Sequence, residues 1–296
     1  MSHKRTLTAL SLAALLGLSL AACSSAGAND SAGGGDAASG AGSFGECEIT
    51  GEAGSVELTP LEADTLTIAT VLPSNGWWNG PSPDAINGGF EYCMVANIAH
   101  RAGLTSVTVE NQSWDQLISA SNTKYDLGLA GITITDERKK VFDFSEAYFQ
   151  SNLGVAVKKG GDVDEKNIRD KKIGVLQGNM GAQYTTDTLK PAGGVQQFQS
   201  EVEMFTALRA GQVDAVITDT TLALSNTAAS NGELEVIGQF SLDQEYGIIM
   251  PKDGKNVEGV NAAIADMKAD GTLDALSATW LTPLFGTDPN AVPIWK

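Results

Sequence analysis

Short apolar stretches alternate with amphipathic stretches along the chain from about residue 65 onward. Residues 65–71 (TLTIATV) have the length and the composition of a strand, and residues 89–102 have the pattern of a helix. Such alternation of strands and helices predicts an α/β fold with largely parallel sheets. Further strands are predicted at 106–110, 125–130, 172–176, 195–198, 213–218, 234–237 and 246–250, and further helices at 114–120, 257–268 and 273–280.

The beginning of the chain has a different pattern. A short basic start is followed by a mostly apolar stretch up to Leu20, as in a secretory signal, and the stretch is too short to span a membrane comfortably. Leu20-Ala21-Ala22 then precede Cys23, which resembles the bacterial lipobox, where the Cys is lipidated and becomes the new N-terminus. An ordinary signal peptide with an incidental Cys is the alternative. We predict a signal peptide at 1–22, and at 23–45 a lipidated Cys and a flexible Ser/Gly/Ala linker that tethers the folded part to the outer face of the membrane.

Two further cysteines, Cys47 and Cys93, remain once Cys23 is lipidated. Export places them where disulfides persist, so we predict a bond between them, with two free thiols as the alternative.

Composition excludes several classes of function. The chain has 36 acidic and 19 basic residues, a formal net charge of −17, and this argues against nucleic-acid binding, which needs a basic surface. Only two histidines, His3 and His100, are present, which leaves little for metal or triad chemistry, and the common hydrolase, metalloprotease and P-loop motifs are absent from the sequence. We expect no metal, no cofactor and no catalysis.

Polar residues that follow predicted strands are the candidates for a binding site, because ligands of open α/β sheets bind beyond the carboxyl ends of strands. Arg138 lies in the stretch 131–138, where hydroxyls and free N–H groups would help it bind a carboxylate; it is otherwise an exposed member of a charge run. Asp219 ends the strand 213–218 and would receive an ammonium group or merely cap a helix.

Gln177 begins a Gly-rich turn before a helix, which offers N–H groups to an anion or is only a tight turn. Trp77 and Trp114 are aromatic candidates for which packing is the alternative.

A collinear set of motifs carries a family resemblance. The stretch GITITDERKK at 131–140, with Asp143-Phe144-Ser145 and Tyr148, resembles the polar amino-acid solute-binding proteins of ABC importers, and the glutamine-binding members most closely. Four further motifs and a closing segment agree in order: Gly89-Phe90-Glu91-Tyr92, 172–178, 212–216, Tyr246-Gly247-Ile248, and 270–273 with Trp280.

The resemblance implies a two-lobed periplasmic-binding-protein fold of type II, the Venus-flytrap fold, with two crossings between its lobes. It places the larger lobe at 61–147 plus 246–285 and the smaller lobe at 151–243, and it leaves 286–296 as a C-terminal tail that either packs on the larger lobe or stays loose.

The resemblance also implies that Arg138 binds the ligand's α-carboxylate with help from Thr133 and the backbone N–H of Met180. Asp219 and the carbonyl of Gly131 would hold the α-ammonium, and Trp114 would form an aromatic wall.

Departures from the family pattern concern the side-chain pocket. Val71 stands where the family often has Asp, the pair Trp77-Trp78 is unusual, and Gln177 and Thr218 stand where glutamine-binding members have Lys and His. We therefore expect an L-amino acid, polar or acidic, without carrying glutamine over. The implied function is capture of this ligand by a monomer and delivery to an ABC permease. A sensor of the same fold that presents its ligand to a receptor is the alternative, and an enzyme of a related dehydratase type is disfavoured because the sequence offers no plausible acid/base set.

Overall fold

The computed structural model describes residues 44–296, apart from the side chains of Asp243 and Asn290. The predicted signal peptide, Cys23 and the linker as far as residue 43 lie outside the described residues. The described part is an α/β structure with two sheets, as the alternating pattern predicted.

The first sheet has five strands: β1 (Thr65–Thr70), β2 (Ser106–Asn111), β3 (Leu127–Gly128), β4 (Phe142–Phe144) and β10 (Ile249–Pro251). They lie in the order β2-β1-β3-β10-β4. Strand β1 pairs in parallel with β2 and β3, and β10 pairs antiparallel with β3 and β4. Residues 66–70 of strand β1 are buried, in line with the strand predicted there.

The second sheet has six strands: β5 (Phe149–Lys158), β6 (Ile173–Leu176), β7 (Val195–Phe198), β8 (Ala215–Asp219), β9 (Leu234–Tyr246) and β11 (Ile294–Trp295). They lie in the order β11-β9-β5-β8-β6-β7. Strands β8, β6 and β7 are parallel, whereas β5 pairs antiparallel with both β8 and β9. The pairing of β5 with β9 runs from Phe149 opposite Tyr246 to Lys158 opposite Leu234.

Four of the nine α-helices in the described chain follow a strand and begin at a side-chain cap. Ser113, Thr135, Asn179 and Ser200 each accept a hydrogen bond from a backbone N–H in the first turn of the helix that follows. These caps fix where helices begin beside the strand ends. The helices are α1 (Phe90–Arg101), α2 (Trp114–Ile118), α3 (Asp136–Lys139), α4 (Met180–Tyr184), α5 (Glu201–Arg209), α6 (Thr220–Ala228), α7 (Val257–Ala269), α8 (Thr272–Leu276) and α9 (Thr282–Phe285).

Two π-helical turns and three short 3-10 turns complete the helical segments of the described chain. The π turn Thr185–Leu189 continues α4, and Ser277–Leu281 joins α8 to α9. The 3-10 turns are Pro83–Ala85, Ile168–Asp170 and Pro289–Ala291. Within residues 44–296, no helix is both long and apolar enough to cross a membrane.

The segment that precedes β1 is attached to α1. A disulfide joins Cys47 to Cys93, which confirms the predicted pairing. Phe44 is buried in the core of the first sheet, and the N–H of Glu46 donates to the carbonyl of Asn87. Phe44 therefore packs against the folded part of the described chain.

The C-terminal tail contacts both sheets and does not stay loose. Its strand β11 pairs in parallel with β9 and so extends the second sheet, whereas Val292 is buried in the same cluster as Phe44, in the core of the first sheet. Trp295 packs edge-on against Phe240, and its indole lies over Gly238, where a Cβ atom would come within 2.1 Å of the ring. The chain crosses between the sheets after β4 and after β9, as the family resemblance implied, and the tail adds a third passage.

Candidate functional site

A cavity of about 310 Å³ lies beyond the carboxyl ends of strands from both sheets. The residues on its first-sheet side follow β1, β2 and β3, and those on its second-sheet side follow β6, β7 and β8. This is the position that the strand-end argument predicted. The cavity is lined by Val71, Leu72, Pro73, Ser74, Asn111, Gln112, Ser113, Trp114, Ala130, Leu176, Asn179, Gln199, Ser200, Glu201, Val202, Asp219 and Leu222.

Arg138 reaches from the first-sheet side toward the second. It sits in α3, where its neighbours Asp136, Glu137 and Lys139 are exposed while its own side chain is partly buried. Its guanidinium donates to the carbonyl of Thr133 at 2.8 Å. It also donates at 3.1 Å to the carbonyl of Gly178, which follows β6 of the second sheet, and we call the space between the two sides the cleft. The side chain is therefore directed into the cleft, and the alternative of an exposed arginine in a charge run does not describe it.

Trp114 forms a wall beside the guanidinium. It is the first residue of α2, whose capping box between Ser113 and Gln116 fixes the helix start. The centre of the Arg138 guanidinium lies 5.4 Å from the Trp114 ring centroid, within cation–π range. Burial lowers the pKa of Arg138, and the nearby charge of Asp219 opposes that change. The guanidinium keeps its charge, because arginine is not deprotonated in proteins.

Asp219 faces the same cavity from the end of β8. It stands at the N-cap position of α6, but its side chain makes no cap hydrogen bond, so capping does not explain it. The side chain is buried, and its Oδ1 atom has no hydrogen-bond partner. Burial raises the pKa of Asp219 to about 6, whereas the neighbouring Gln244, Arg138 and Tyr246 side chains act to lower it. A buried, incompletely satisfied carboxylate is prepared for a cationic partner.

The turn that contains Gly131 and Thr133 is held by residues that the sequence marked only as parts of motifs, with no role assigned to them. Gly131 has a φ of +57°, and its N–H donates to Oε1 of the fully buried Glu91 at 2.9 Å. Glu91 also accepts hydrogen bonds from Trp78 and from Tyr148. Burial raises the pKa of Glu91, and these three donors act to lower it. The carboxyl group of Glu91 thus fixes the position of the Gly131 turn.

The side-chain hydroxyl and the backbone carbonyl of Thr133 both bond within the protein. Its Oγ1 donates to Oε1 of Gln244 at 2.9 Å, and its carbonyl accepts from Arg138. Gln244 belongs to β9, so this bond ties the turn to the strand that runs between the sheets. In this arrangement Thr133 orients Arg138 through its carbonyl.

Met180 and Gln177 lie at the outer edge of the cleft. Met180 is the first residue of α4, where the capping by Asn179 leaves the backbone N–H of Met180 without an intrahelical acceptor. Met180 and Arg138 line one opening next to the cavity. Gln177 is exposed, does not line the cavity, and accepts a hydrogen bond from Gln199, which does.

Trp77 lies elsewhere than predicted. It is buried in the core, where its ring packs against Phe90, Phe149 and Tyr246, and it is not among the residues that line the cavity. The pattern Trp77-Trp78 reflects core packing next to α1, because Trp78 is also buried and bonds to Glu91.

Glu201 lines the cavity and was missed by the sequence analysis. It begins α5 directly after the cap Ser200, and acidic residues are common in a first helical turn, so its local pattern gives no functional signal. Its Oε2 accepts a hydrogen bond from Asn226 at 3.2 Å. Burial, with a further contribution from the charge of Asp219, raises the pKa of Glu201 to about 7.

In the part of the chain that the structure covers, no group of three or more His, Cys, Asp or Glu side chains is arranged to hold a metal ion. The charged side chains that line the cavity are Asp219 and Glu201, and Arg138 lines the adjoining opening.

Comparisons with known proteins identify the family. The L-cystine-binding protein of Escherichia coli K12 is 32% identical over 205 residues, which are 68% of this chain and 75% of that protein. The glutamine-binding protein of a Bacillus subtilis ABC transporter is 33% identical over 163 residues, 54% of this chain and 59% of that protein. The structure of an ancestral arginine-binding protein bound to arginine superposes with a TM-score of 0.66 at 32% identity and covers 73% of this chain and 98% of that one.

These likenesses confirm the two-lobed fold of type II periplasmic binding proteins and the family resemblance read from the motifs. The sequence pattern of one family matches residues 82–283, most of the chain. The chain therefore belongs to the bacterial extracellular solute-binding proteins, family 3.

Proposed function

We propose that the protein captures an L-amino acid in the cavity between its sheets and delivers it to an ABC permease. The observation that carries this proposal is the placement of opposite charges: Arg138 enters the cleft from the first-sheet side, and Asp219 faces the cavity from the second. An α-amino acid carries the complementary pair, a carboxylate and an ammonium, on one carbon. A ligand that binds both groups stabilises the arrangement in which the two sides meet.

Each polar group of the clamp has a role in this proposal. Arg138 binds the α-carboxylate bidentately, together with the N–H of Met180, and the Thr133 carbonyl keeps the guanidinium in position. Asp219 and the carbonyl of Gly131 receive the α-ammonium. Trp114 covers the ligand as an aromatic wall. Support for these roles comes from the unpartnered Oδ1 of Asp219 and from the guanidinium, whose present acceptors are two neutral carbonyls.

Relatives extend the proposal to the class of ligand. The related proteins named above bind L-cystine, glutamine or arginine according to their names, and all of these are amino acids. We propose binding without turnover, so that the ligand is recovered unchanged after incubation, and we propose that the protein acts as a monomer.

Isothermal titration calorimetry of the purified protein against the common L-amino acids, with D-isomers and sugars as controls, tests the proposal. We expect binding to be confined to a few L-amino acids and to be abolished by Arg138→Ala. Arg209→Ala is the matched control, because Arg209 is paired with Glu233 outside the cavity. Full affinity of the Arg138→Ala variant would overturn the clamp.

We also propose that Cys23 carries a lipid that anchors the protein to the outer face of the cell membrane. The support is the sequence Leu20-Ala21-Ala22-Cys23 after a basic and then apolar start. Metabolic labelling with an alkyne-bearing fatty acid should label the wild-type protein and not the Cys23→Ser variant. Equal labelling of the two proteins would refute the anchor at this residue.

A further inference from the structure

The cavity contains a carboxyl group for which the amino-acid clamp has no use. Glu201 lines the same cavity as Asp219, but it stands at the start of α5 and not at the end of β8. The two side chains are close enough for the charge of Asp219 to act on Glu201. The hydrogen bond from the neutral Asn226 does not offset a negative charge at Glu201.

The charges around the cavity do not balance when a simple zwitterion is bound. Among the described residues that line the cavity, the charged side chains are Asp219 and Glu201, and Arg138 adds one positive charge beside Trp114. A bound α-carboxylate and α-ammonium match Arg138 and Asp219 and leave Glu201 without a counter-charge. Such a carboxylate costs free energy when it is removed from water, so a ligand that supplies a cation at this point is favoured.

Apolar side chains form part of the cavity wall on the side of Glu201. Leu72, Pro73, Val202 and Leu222 line the cavity together with Glu201, and all but Leu72 also line a small recess of about 50 Å³ at its side. Methylene groups pack well against such walls, whereas a short polar side chain would leave them exposed to water. A side chain with an aliphatic stem and a charged end fits both features.

We propose that Glu201 determines specificity and that the ligand is an L-amino acid whose side chain ends in an ammonium or guanidinium group. This inference rests on the proposed amino-acid clamp and names the side-chain class that the same site takes. It replaces the sequence-based expectation of a polar or acidic side chain, because an acidic side chain would place a third carboxylate beside Asp219 and Glu201.

The test compares ligands and variants in one calorimetric series. L-arginine, L-lysine and L-ornithine are titrated against L-glutamine, L-glutamate and L-cystine, with wild-type protein, Glu201→Gln and Glu203→Gln. Glu203 is the matched control, because it lies two residues further along α5 and does not line the cavity. A charge-assisted hydrogen bond contributes about 1.5–3 kcal/mol, so we expect Glu201→Gln to weaken binding of the cationic ligands by about 10- to 150-fold. Glu203→Gln should bind as the wild type does.

A second variant separates specificity from folding. Glu201→Asp keeps the charge on a shorter side chain, so it should keep the preference for cationic ligands while binding them more weakly than the wild type. Thermal melting of each variant shows that it is folded. Tightest binding of L-glutamine, L-glutamate or L-cystine by the wild type would overturn the inference, as would an equal loss of all ligands in Glu201→Gln. Either result leaves the clamp intact, whereas a wild-type protein that binds no amino acid overturns the clamp and the inference together.

Discussion

Asp219 should destabilise the protein in the absence of ligand, and Asp219→Asn should therefore increase its stability. Asparagine has nearly the shape of the protonated carboxyl group, so the substitution removes the charge and keeps the packing. The buried side chain has an unpartnered Oδ1, and burial raises its pKa from 3.8 to about 6. Ionisation is therefore harder in the folded state than in the unfolded state.

The magnitude follows from the pKa of Asp219. At 1.36 kcal/mol for each pH unit, a rise from 3.8 to about 6 corresponds to about 3 kcal/mol. Between these two values the folded state binds more protons than the unfolded state, so wild-type stability increases as the pH falls through about 6. We expect the advantage of Asp219→Asn to be about 3 kcal/mol at about pH 7.5 and roughly half of that at about pH 5. Relief of the repulsion with Glu201 acts in the same direction.

Urea unfolding followed by tryptophan fluorescence, without ligand, measures the free energy of unfolding at both pH values. Asp266→Asn is the control, because Asp266 is exposed on α7 and its substitution should change stability little at either pH. The reasoning would be refuted if Asp219→Asn were no more stable than the wild type at pH 7.5, or if its advantage were the same at pH 5. The same variant should bind amino acids more weakly, because the acceptor of the α-ammonium has lost its charge.

Three further predictions concern stability and the geometry of the site. Replacement of Cys47 and Cys93 by serine opens a link between residues 46 apart and should cost about 4 kcal/mol of unfolding free energy in denaturant titrations; an unchanged midpoint would contradict this. Gly131→Ala forces a Cβ atom to within 3.2 Å of the Tyr246 ring at a φ of +57°, so we expect a loss of about 1–2 kcal/mol and weaker amino-acid binding by calorimetry, and undiminished affinity would argue against a role for this turn. Trp295→Ala should lower stability by about 3–5 kcal/mol in the same titrations without changing ligand affinity, and a change in affinity would mean that the tail acts on the site.

The parts of the fold with strong local signals were predictable from the sequence. The helix predicted at 89–102 is found as α1 (Phe90–Arg101), and the strand predicted at 65–71 is β1 (Thr65–Thr70). Both combine a clear apolar pattern with turn residues at their ends. Parallel strands that are buried on both faces read as continuous apolar runs, and this identified β6 and β8 as well.

The crossing strands were not predictable in the same way. Strand β5 (Phe149–Lys158) was missed, and β9 (Leu234–Tyr246) was predicted to end at residue 237. Their ladder includes polar positions such as Gln150 opposite Glu245 and is interrupted by register shifts near Asn152 and Val155. Strand structure here depends on a partner roughly 90 residues away, and local propensity does not report such a partner.

In the candidate site too, some residues could be predicted from the sequence and others could not. Arg138 and Asp219 became candidates because they follow strand ends, and their proposed roles came from the family resemblance. Glu91 was missed as a functional residue because it looks like an ordinary acid in a helix, although it holds the Gly131 turn together with Trp78 and Tyr148. These partners are 13, 40 and 57 residues away in the sequence and meet only in the folded chain.

The positions of the two ends of the described chain make the protein suitable as an optical reporter. Phe44 and Cys47 are fixed to the core of the first sheet, whereas Trp295 is fixed to the second through β11. A fluorescent donor joined before Phe44 and an acceptor joined after Lys296 would therefore ride on different sheets. Any rotation of one sheet relative to the other would change the efficiency of energy transfer between the two dyes, with no label placed in the cavity.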